Sequence, residues 1–459
     1  GIIDTISMGA VVLQGDLDLA LDANLKTQQA DSFSADSVSA NGNWIVIKSI
    51  NVTEDPVVNL PISITNFDTK LSSAVKLDHE GFKAYNAATD FSYLVTYSTS
   101  DLGGVLTFNY SDLYSAIHMT AQERVYTMAG TEEVKRDLGT MEGTNATLTV
   151  KGYGNAVDGK GFEGVTIEND DTFTLENVSS WSGFRGVGIT NEVKVNVQAL
   201  THNTQFGNAI SNDGALNLTS DKEIIFHSKV EGEGATSISG TGSVTFEDKL
   251  TQGTLGITSG TVNISANNLD IASDISNKGI LRLGEGTLKN NIKGEGGSVE
   301  TTGNVVLNSS ISQNSMNVGS NSLSFGRKAQ INTTAFISNG SSLDTSNNGK
   351  LDDILFGDLT LHGALSSTID VDLDELKADN FSATGVGGEG KLSIDSIALT
   401  GDSDYRHTHI KVGNAAIANS IITSVEEAQT EEHTYKVSYA NGDLVFISDA
   451  NASLVSAVR

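Results

Sequence analysis

Ala215-Leu216-Asn217-Leu218, Ser243-Val244-Thr245-Phe246, Gly260-Thr261-Val262-Asn263-Ile264 and Ile280-Leu281-Arg282-Leu283 are versions of one short phrase. Each sets two apolar residues two positions apart and is followed by a turn of Gly, Asn or Ser. Side chains alternate across a strand, so each phrase reads as a strand of four or five residues with one face inward. The same texture begins near residue 141, with Ala146-Thr147-Leu148-Thr149-Val150, Gly164-Val165-Thr166-Ile167 and Thr172-Phe173-Thr174-Leu175. A β-sandwich asks for strands of about five to six residues with larger inward side chains. Short strands at even spacing fit a parallel β-solenoid, where each coil buries its apolar face against its neighbours. At roughly 20 residues per coil, residues 141–355 make about ten coils. With strands ~4.8 Å apart, the rod is about 50 Å long.

Composition agrees. The 459 residues include 47 Gly, two Pro and no Cys, with aromatics at 6%, so small β-branched residues and tight turns must build the core. Without cysteine there is no disulfide framework, thiolate metal site or thiol nucleophile. The 28 basic and 57 acidic residues give −29, a surface that repels phosphate backbones, so no nucleic-acid partner is expected. No apolar run is long enough for a transmembrane helix. The start, Gly1-Ile2-Ile3-Asp4, has neither an initiator Met nor a signal-peptide pattern, and reads as a processed or excerpted segment.

A second pattern frames the first. Gly15-Asp16-Leu17, Ala30-Asp31-Ser32-Phe33-Ser34-Ala35 and Ile47-Lys48-Ser49-Ile50 return in order as Gly357-Asp358-Leu359, Ala378-Asp379-Asn380-Phe381-Ser382-Ala383 and Ile394-Asp395-Ser396-Ile397. Phe33 and Phe381 are 348 apart, and Phe108 and Phe446 are 338 apart, a drift that short insertions explain. One unit therefore occurs twice. The expected organisation is a β-rich capping unit over 1–112, a connector over 113–140, a solenoid over 141–355 and a second capping copy over 356–459. The connector holds the most helix-prone residues of the chain, Leu113 to Met128 and Glu132 to Leu138, so a short helix is expected there. Solenoid ends expose unpaired N–H and C=O groups and need covering, a task suited to the duplicated unit. The fold class is all-β, a right-handed parallel β-helix flanked by two copies of the cap.

Asn145-Ala146-Thr147-Leu148-Thr149-Val150-Lys151-Gly152-Tyr153-Gly154-Asn155-Ala156-Val157-Asp158-Gly159 resembles the first coils of bacterial autotransporter-like β-helical passengers. Thr174-Leu175-Glu176-Asn177-Val178 and Gly207-Asn208-Ala209-Ile210-Ser211-Asn212-Asp213-Gly214 continue the pattern. His433-Thr434-Tyr435-Lys436-Val437-Ser438-Tyr439 through Ile447 resembles their closing coils. The resemblance covers roughly residues 141–449 and implies a secreted or outer-surface bacterial protein used for adhesion, coating or assembly. A second cap copy at the start departs from that pattern and suggests one module of a tandem array.

Candidate chemistry is sparse. His407 and His409 sit two apart on one strand face, which is half a metal site, with Asp402 or Asp404 within reach. A polar histidine pair more often carries no metal. The alternation Asp370-Val371-Asp372-Leu373-Asp374 reads as an outward strand face, with weak Ca²⁺ binding as its functional variant. Glu168, Asp170, Asp171 and Glu176, and Asp352, Asp353 and Asp358, are the carboxylates a polysaccharide-degrading β-helix enzyme would need, but surface aspartates explain them more simply. No catalytic residue, cofactor or enzyme activity is expected. The leading expectation is a structural protein self-associating head to tail, through an edge made by Ile2, Ile3, Ile6, Val11 and Leu13 against Leu444, Phe446 and Ile447. A monomeric adhesin that binds a cell-surface glycan or protein is the alternative.

Overall fold

The computed structural model describes residues 2–57, 60–89, 91–119, 122–127, 133–142, 145–152, 161–167, 170–176, 178, 187–402 and 407–448, with backbone alone for 133–137, 161–164 and 187–188. The chain is nearly all β and carries a parallel β-solenoid of about ten turns. It forms two compact units, Gly1–Asn208 and Ala209–Arg459.

In the second unit a coil consists of three short strands. Ala215–Ser220, Glu223–Phe226 and Val230–Glu231 make one coil, and Ala235–Ser239, Ser243–Phe246 and Leu250–Gln252 the next. Ala215 lies in parallel beside Ala235, Glu223 beside Ser243 and Val230 beside Leu250, a period of twenty residues. The period falls to seventeen from Ser298 to Ser315 and grows to twenty-seven from Asp358 to Gly385. Parallel register stacks like on like, so Leu216, Leu218, Ile224 and Phe226 are essentially inaccessible. Phe226 lies flat on Phe246, ring centroids 5.0 Å apart. Each such burial contributes roughly 1.5–3 kcal/mol.

Polar residues also enter the core, and two glutamines among them are fully engaged there. Gln252 and Gln313 are buried at coil corners, accepting from the amides of Asn212 and Asn277, the latter at 2.7 Å. Each donates to the carbonyl of the residue before it and to a glycine one coil back, Gly232 or Gly294. Those glycines have φ of 136° and 145°, which other residues avoid, and a Cβ on Gly232 would lie 2.2 Å from the Asn212 carbonyl oxygen. A satisfied buried amide holds the corner; an unsatisfied one would cost about 1–3 kcal/mol.

The first unit opens with a mixed sheet. Its outer strand, Thr5–Val12, runs parallel to Ser32–Ser39, and Leu17–Asn24 runs parallel to Ile45–Glu54. Phe91–Ser100 and Gly103–Tyr110 form an antiparallel hairpin, flanked by Ile62–Phe67 and Lys83–Asn86. A separate parallel stack follows: Glu123–Thr127, Thr147–Lys151, Thr172–Glu176 and Lys194–Ala199.

Between them lies the α-helix Leu113–His118, N-capped by the Asp112 carboxylate, which accepts from the Ser115 N–H at 2.8 Å. Two further stretches of the helix-prone connector are strand, Glu123–Thr127 and Glu133–Thr140, because pairing with the next coil outweighs local propensity. The helix end is met by Arg124, 1% exposed. Its Nη1 donates to the carbonyls of Ala116, Ile117 and Met119 and its Nη2 to that of Glu142 at 2.7 Å. One guanidinium thus satisfies carbonyls that a helix end leaves unpaired. Burial holds its pKa below the ordinary arginine range.

The duplication read in the sequence is structural, with one landmark corrected: Leu17 matches Leu365, not Leu359, whose counterpart is Val11. Leu17–Asn24, Gln29–Ala30 and Ile45–Glu54 correspond to Leu365–Asp372, Lys377–Ala378 and Leu392–Thr400, and both parallel pairs shift register at equivalent places, Leu19/Ala20 and Ser367/Thr368. Ile62–Phe67, the 3-10 turn Ser72–Ala74, Val75–Leu77 and the closing antiparallel strands match His407–Lys411, Ala418–Ser420, Ile421–Thr423 and Glu427–Ser448 in order. A tyrosine hydroxyl fastens each 3-10 turn, Tyr97 to the Ser72 carbonyl at 2.9 Å and Tyr439 to that of Ala418 at 2.7 Å.

Arg124→Met keeps the side-chain length and removes the donors. It is expected to destabilise the chain on the order of 3 kcal/mol in guanidine unfolding and to speed amide exchange in Leu113–His118. Unchanged exchange there would show that the helix does not depend on the guanidinium.

Candidate functional site at the duplicated unit

The two copies are each fastened by one buried aspartate. Asp31 accepts from the N–H of Asp4 through Oδ1 and from that of Asp22 through Oδ2, both at 2.8 Å. In the second copy Asp379 accepts from the N–H of Asp352 at 2.7 Å and that of Asp370 at 2.8 Å, with the Thr345 hydroxyl at 2.6 Å. Each carboxylate ties its own turn to two other passes of the chain. Asp171, fully buried, uses the same device, accepting from the Ala146 N–H at 2.7 Å. Burial pushes the Asp379 carboxyl up to about 7 against the pull of its donors, and the charge of Asp352 acts in the same upward direction.

The copies differ in what lies beside them. In the second, Asp353–Leu355 and Asp358–Leu361 receive the preceding coil strand, with Asn332 beside Leu355 and Phe336 beside Leu359. Leu365–Asp372 likewise receives Ser342–Asp344. In the first, the equivalent strand Thr5–Val12 ends its sheet, and among the described residues it pairs with Ser32–Ser39 alone. Ile6 is 41% exposed and Leu17 45%, where their counterparts Ile354 and Leu365 are 0% and 1%.

The residues expected to form an assembly edge therefore divide. Ile6 and Val11 lie on the open strand, Ile2 and Ile3 precede it, and Leu13, just past it, is buried. Leu444, Phe446 and Ile447 do not form a free edge, which corrects that expectation. Their strand, Asp443–Ser448, runs between His407–Lys411 and Thr434–Ala440 with both edges engaged, and Leu444 and Phe446 are buried. Alternation marks a strand but does not say how many neighbours it has.

The acidic candidates mostly hold backbone. Asp370 is half-buried and accepts from the Asn347 N–H at 2.8 Å, with burial as the first cause raising its pKa. Asp372 accepts from the N–H groups of Asp374 and Glu375, and Asp374 from that of Asp402 at 3.0 Å. Of the expected outward ladder only Asp374 is exposed. Buried Asp352 meets the Lys350 ammonium at 2.5 Å, Asp353 accepts from Asn380, and Asp358 from the Thr384 hydroxyl at 2.6 Å. Glu176 faces Lys151 at 3.5 Å, and Asp170 sits in a turn at φ 63°. Glu168 and Asp404 lie outside the described residues.

His407 and His409 do share an exposed strand face, their ring centroids 6.4 Å apart, but Asp402 turns elsewhere. Its Oδ1 accepts from the Thr430 hydroxyl at 2.8 Å, from His433 Nδ1 at 3.1 Å and from the Tyr435 hydroxyl at 3.2 Å. Asp402, Glu432 and His433 bring ligand atoms within 4.8 Å of one another, an arrangement able to hold a divalent ion. Their thirty-residue separation hid this from the sequence, where Asp402 is matched to His407 and His409 and not to His433.

No family model matches the chain, and no curated protein matches it. Among solved structures it is similar to the Haemophilus influenzae Hap adhesin, at 12% identity and a TM-score of 0.35, over 97% of this chain and 57% of that one. The chain thus spans little more than half the length of that structure. The fold rests on the strand pairing described above, not on this likeness.

Asp379 supplies a pH test. A carboxyl whose pKa is higher folded than unfolded takes up a proton on folding between the two values. The contribution of Asp379 to stability is therefore fully present below about 4 and is lost as pH rises through about 7. Thermal melts of the wild type from pH 4 to 8 should show this decline, and Asp379→Asn, which does not titrate, should flatten it. Parallel curves for the two proteins would remove Asp379 as its source.

Proposed function

We propose that the chain is a non-catalytic structural module of an extracellular, adhesin-like β-helical rod that extends by stacking at its open end. The observation that carries this reading is that, among the described residues, Thr5–Val12 pairs on one side, where its counterparts Asp353–Leu355 and Asp358–Leu361 pair on both. Open edges template further strands. The −29 charge keeps rods apart sideways and leaves the ends as the favoured contact. Many of the candidate carboxylates are engaged by backbone amides, hydroxyls and a lysine, which supports a scaffold over a hydrolase.

A glycan-binding rod is the second reading. A polar groove of about 450 Å³ crosses neighbouring coils, lined among others by Ser312, Asn314, Asn332 and Thr334. Such hydroxyls and amides suit a polyhydroxyl ligand.

Electron microscopy of the purified chain and of a variant lacking residues 1–14 tests the first reading. The full chain should associate end to end and the shortened one should give single rods. End-to-end assemblies that survive the deletion unchanged would sink it, and single rods from both proteins with saturable retention on a glycan array would favour the second.

A further inference from the structure

The closing hairpin of the second copy brings a histidine and a second carboxylate to an aspartate that already has a structural duty. We propose that Asp402, Glu432 and His433 bind one divalent metal ion of the zinc type.

A turn builds the site. The Thr430 N–H donates to the His433 carbonyl at 2.9 Å, and the Thr430 hydroxyl oxygen accepts from the N–H groups of Glu432 and His433. These bonds fold residues 430–433 into a tight turn beside Asp402. That aspartate follows the strand Leu392–Thr400, and its own N–H is held by the Asp374 carboxylate at 3.0 Å. One ligand atom from each of the three side chains lies within 4.8 Å of the others, and none of the three residues is buried. Asp402 Oδ1 and His433 Nδ1 are 3.1 Å apart. Two ligands that each sit ~2.0–2.1 Å from a tetrahedral ion are roughly 3.3 Å apart, so this pair already has the spacing one ion imposes. Glu432 is exposed, and among the described residues its carboxylate has no hydrogen-bond or ion-pair partner, so it is free to turn to the third position.

The first copy shows that the fold does not need the histidine. Asp55 and Asp402 are 347 residues apart, as are Ile50 and Ile397, and Tyr93 and Tyr435 are 342 apart, as are Tyr97 and Tyr439. Tyr93 lies opposite Ala84 and Tyr435 opposite Ala428 in equivalent antiparallel pairs. Asp55 Oδ1 accepts from the Tyr93 hydroxyl and from the Asn86 amide, the latter at 2.8 Å. Asp402 Oδ1 accepts from Tyr435 and from Thr430, which stands where Asn86 does. Two donors complete the tie in both copies. His433 is a third, and the residue at its place in the first copy is Phe91. The second copy thus carries an imidazole where the architecture accepts an apolar ring.

One nitrogen and two carboxylates suit zinc or its first-row neighbours better than Ca²⁺, which takes about six to eight oxygens. The ion replaces the proton between Oδ1 and Nδ1, the neutral ring carrying its proton on Nε2 instead, and water completes the coordination. Bound there, it ties the end of Leu392–Thr400 to the hairpin turn and fastens the closure of the second copy.

The test uses the full chain without a histidine tag, stripped with a chelator and titrated with zinc chloride by calorimetry, bound zinc being counted by elemental analysis. Saturable binding of one ion is expected, with a melting temperature that rises with zinc. His433→Phe installs the residue of the first copy and should weaken binding roughly tenfold or more while leaving the metal-free melting curve in place. Glu432→Gln should weaken it by a smaller factor, and decides alone should His433→Phe not fold. Replacing His407 and His409 by Ala should leave binding unchanged. Absence of saturable zinc binding, or equal binding by the wild type and both site variants, would overturn the proposal. So would binding that His433→Phe keeps and the loss of His407 and His409 removes, since the ion would then belong to that exposed pair.

Discussion

Everything in this molecule depends on parallel strand pairing between successive coils. A short strand such as Glu223–Phe226 has two inward side chains and cannot hold itself together; it exists because Ser243–Phe246 lies beside it in register. Register turns a weak local pattern into continuous columns, Ile224 over Val244 and Phe226 over Phe246, and each column excludes water only while the next coil is present. The same condition explains the polar corners. Gln252 and Gln313 are tolerated inside because the coil before them supplies glycine carbonyls at the right height. Cooperativity therefore runs along the rod, and the ends are its weakest points.

The duplicated unit is the chain's answer to that weakness at one end of a stack. It widens the coil from about twenty residues to twenty-seven and more, then replaces parallel pairing with an antiparallel hairpin, whose strands satisfy one another. Buried aspartates do the fastening. A carboxylate can accept from two separate N–H groups at once, so Asp31 and Asp379 each bridge two passes of chain that, among the described residues, do not pair directly with one another. The raised pKa of Asp379 follows from placing such a group in a dry interior.

Much of this was legible in the residues. Leu216 and Leu218, or Val244 and Phe246, announce strands by their spacing, and Asp31-Ser32-Phe33-Ser34-Ala35 announces its twin because the fastening aspartate and the buried phenylalanine cannot be exchanged freely. Partnership was not legible. Leu444 and Phe446 look like any strand, and only the fold reveals neighbours on both sides. Arg124 sits in a helix-prone run, where nothing local marks it as the donor for a helix end. Asp402 and His433 are too far apart in sequence to suggest contact, whereas His407 and His409 catch the eye by proximity, and His409 instead lies 3.9 Å from the Asp443 carboxylate.

The helix Leu113–His118 gives the parallel stack of the first unit a direction. It packs on the strands Glu123–Thr127 and Glu133–Thr140 that start the parallel stack, and Arg124 pins its carbonyls, so that stack begins behind a plug. Among the described residues, the sheet whose outer strand is Thr5–Val12 carries no helix at that strand. The stack is polar in the sense that a ratchet is polar: it is stoppered on the side where it starts, and that asymmetry is written by a single turn and a half of helix rather than by the repeats themselves.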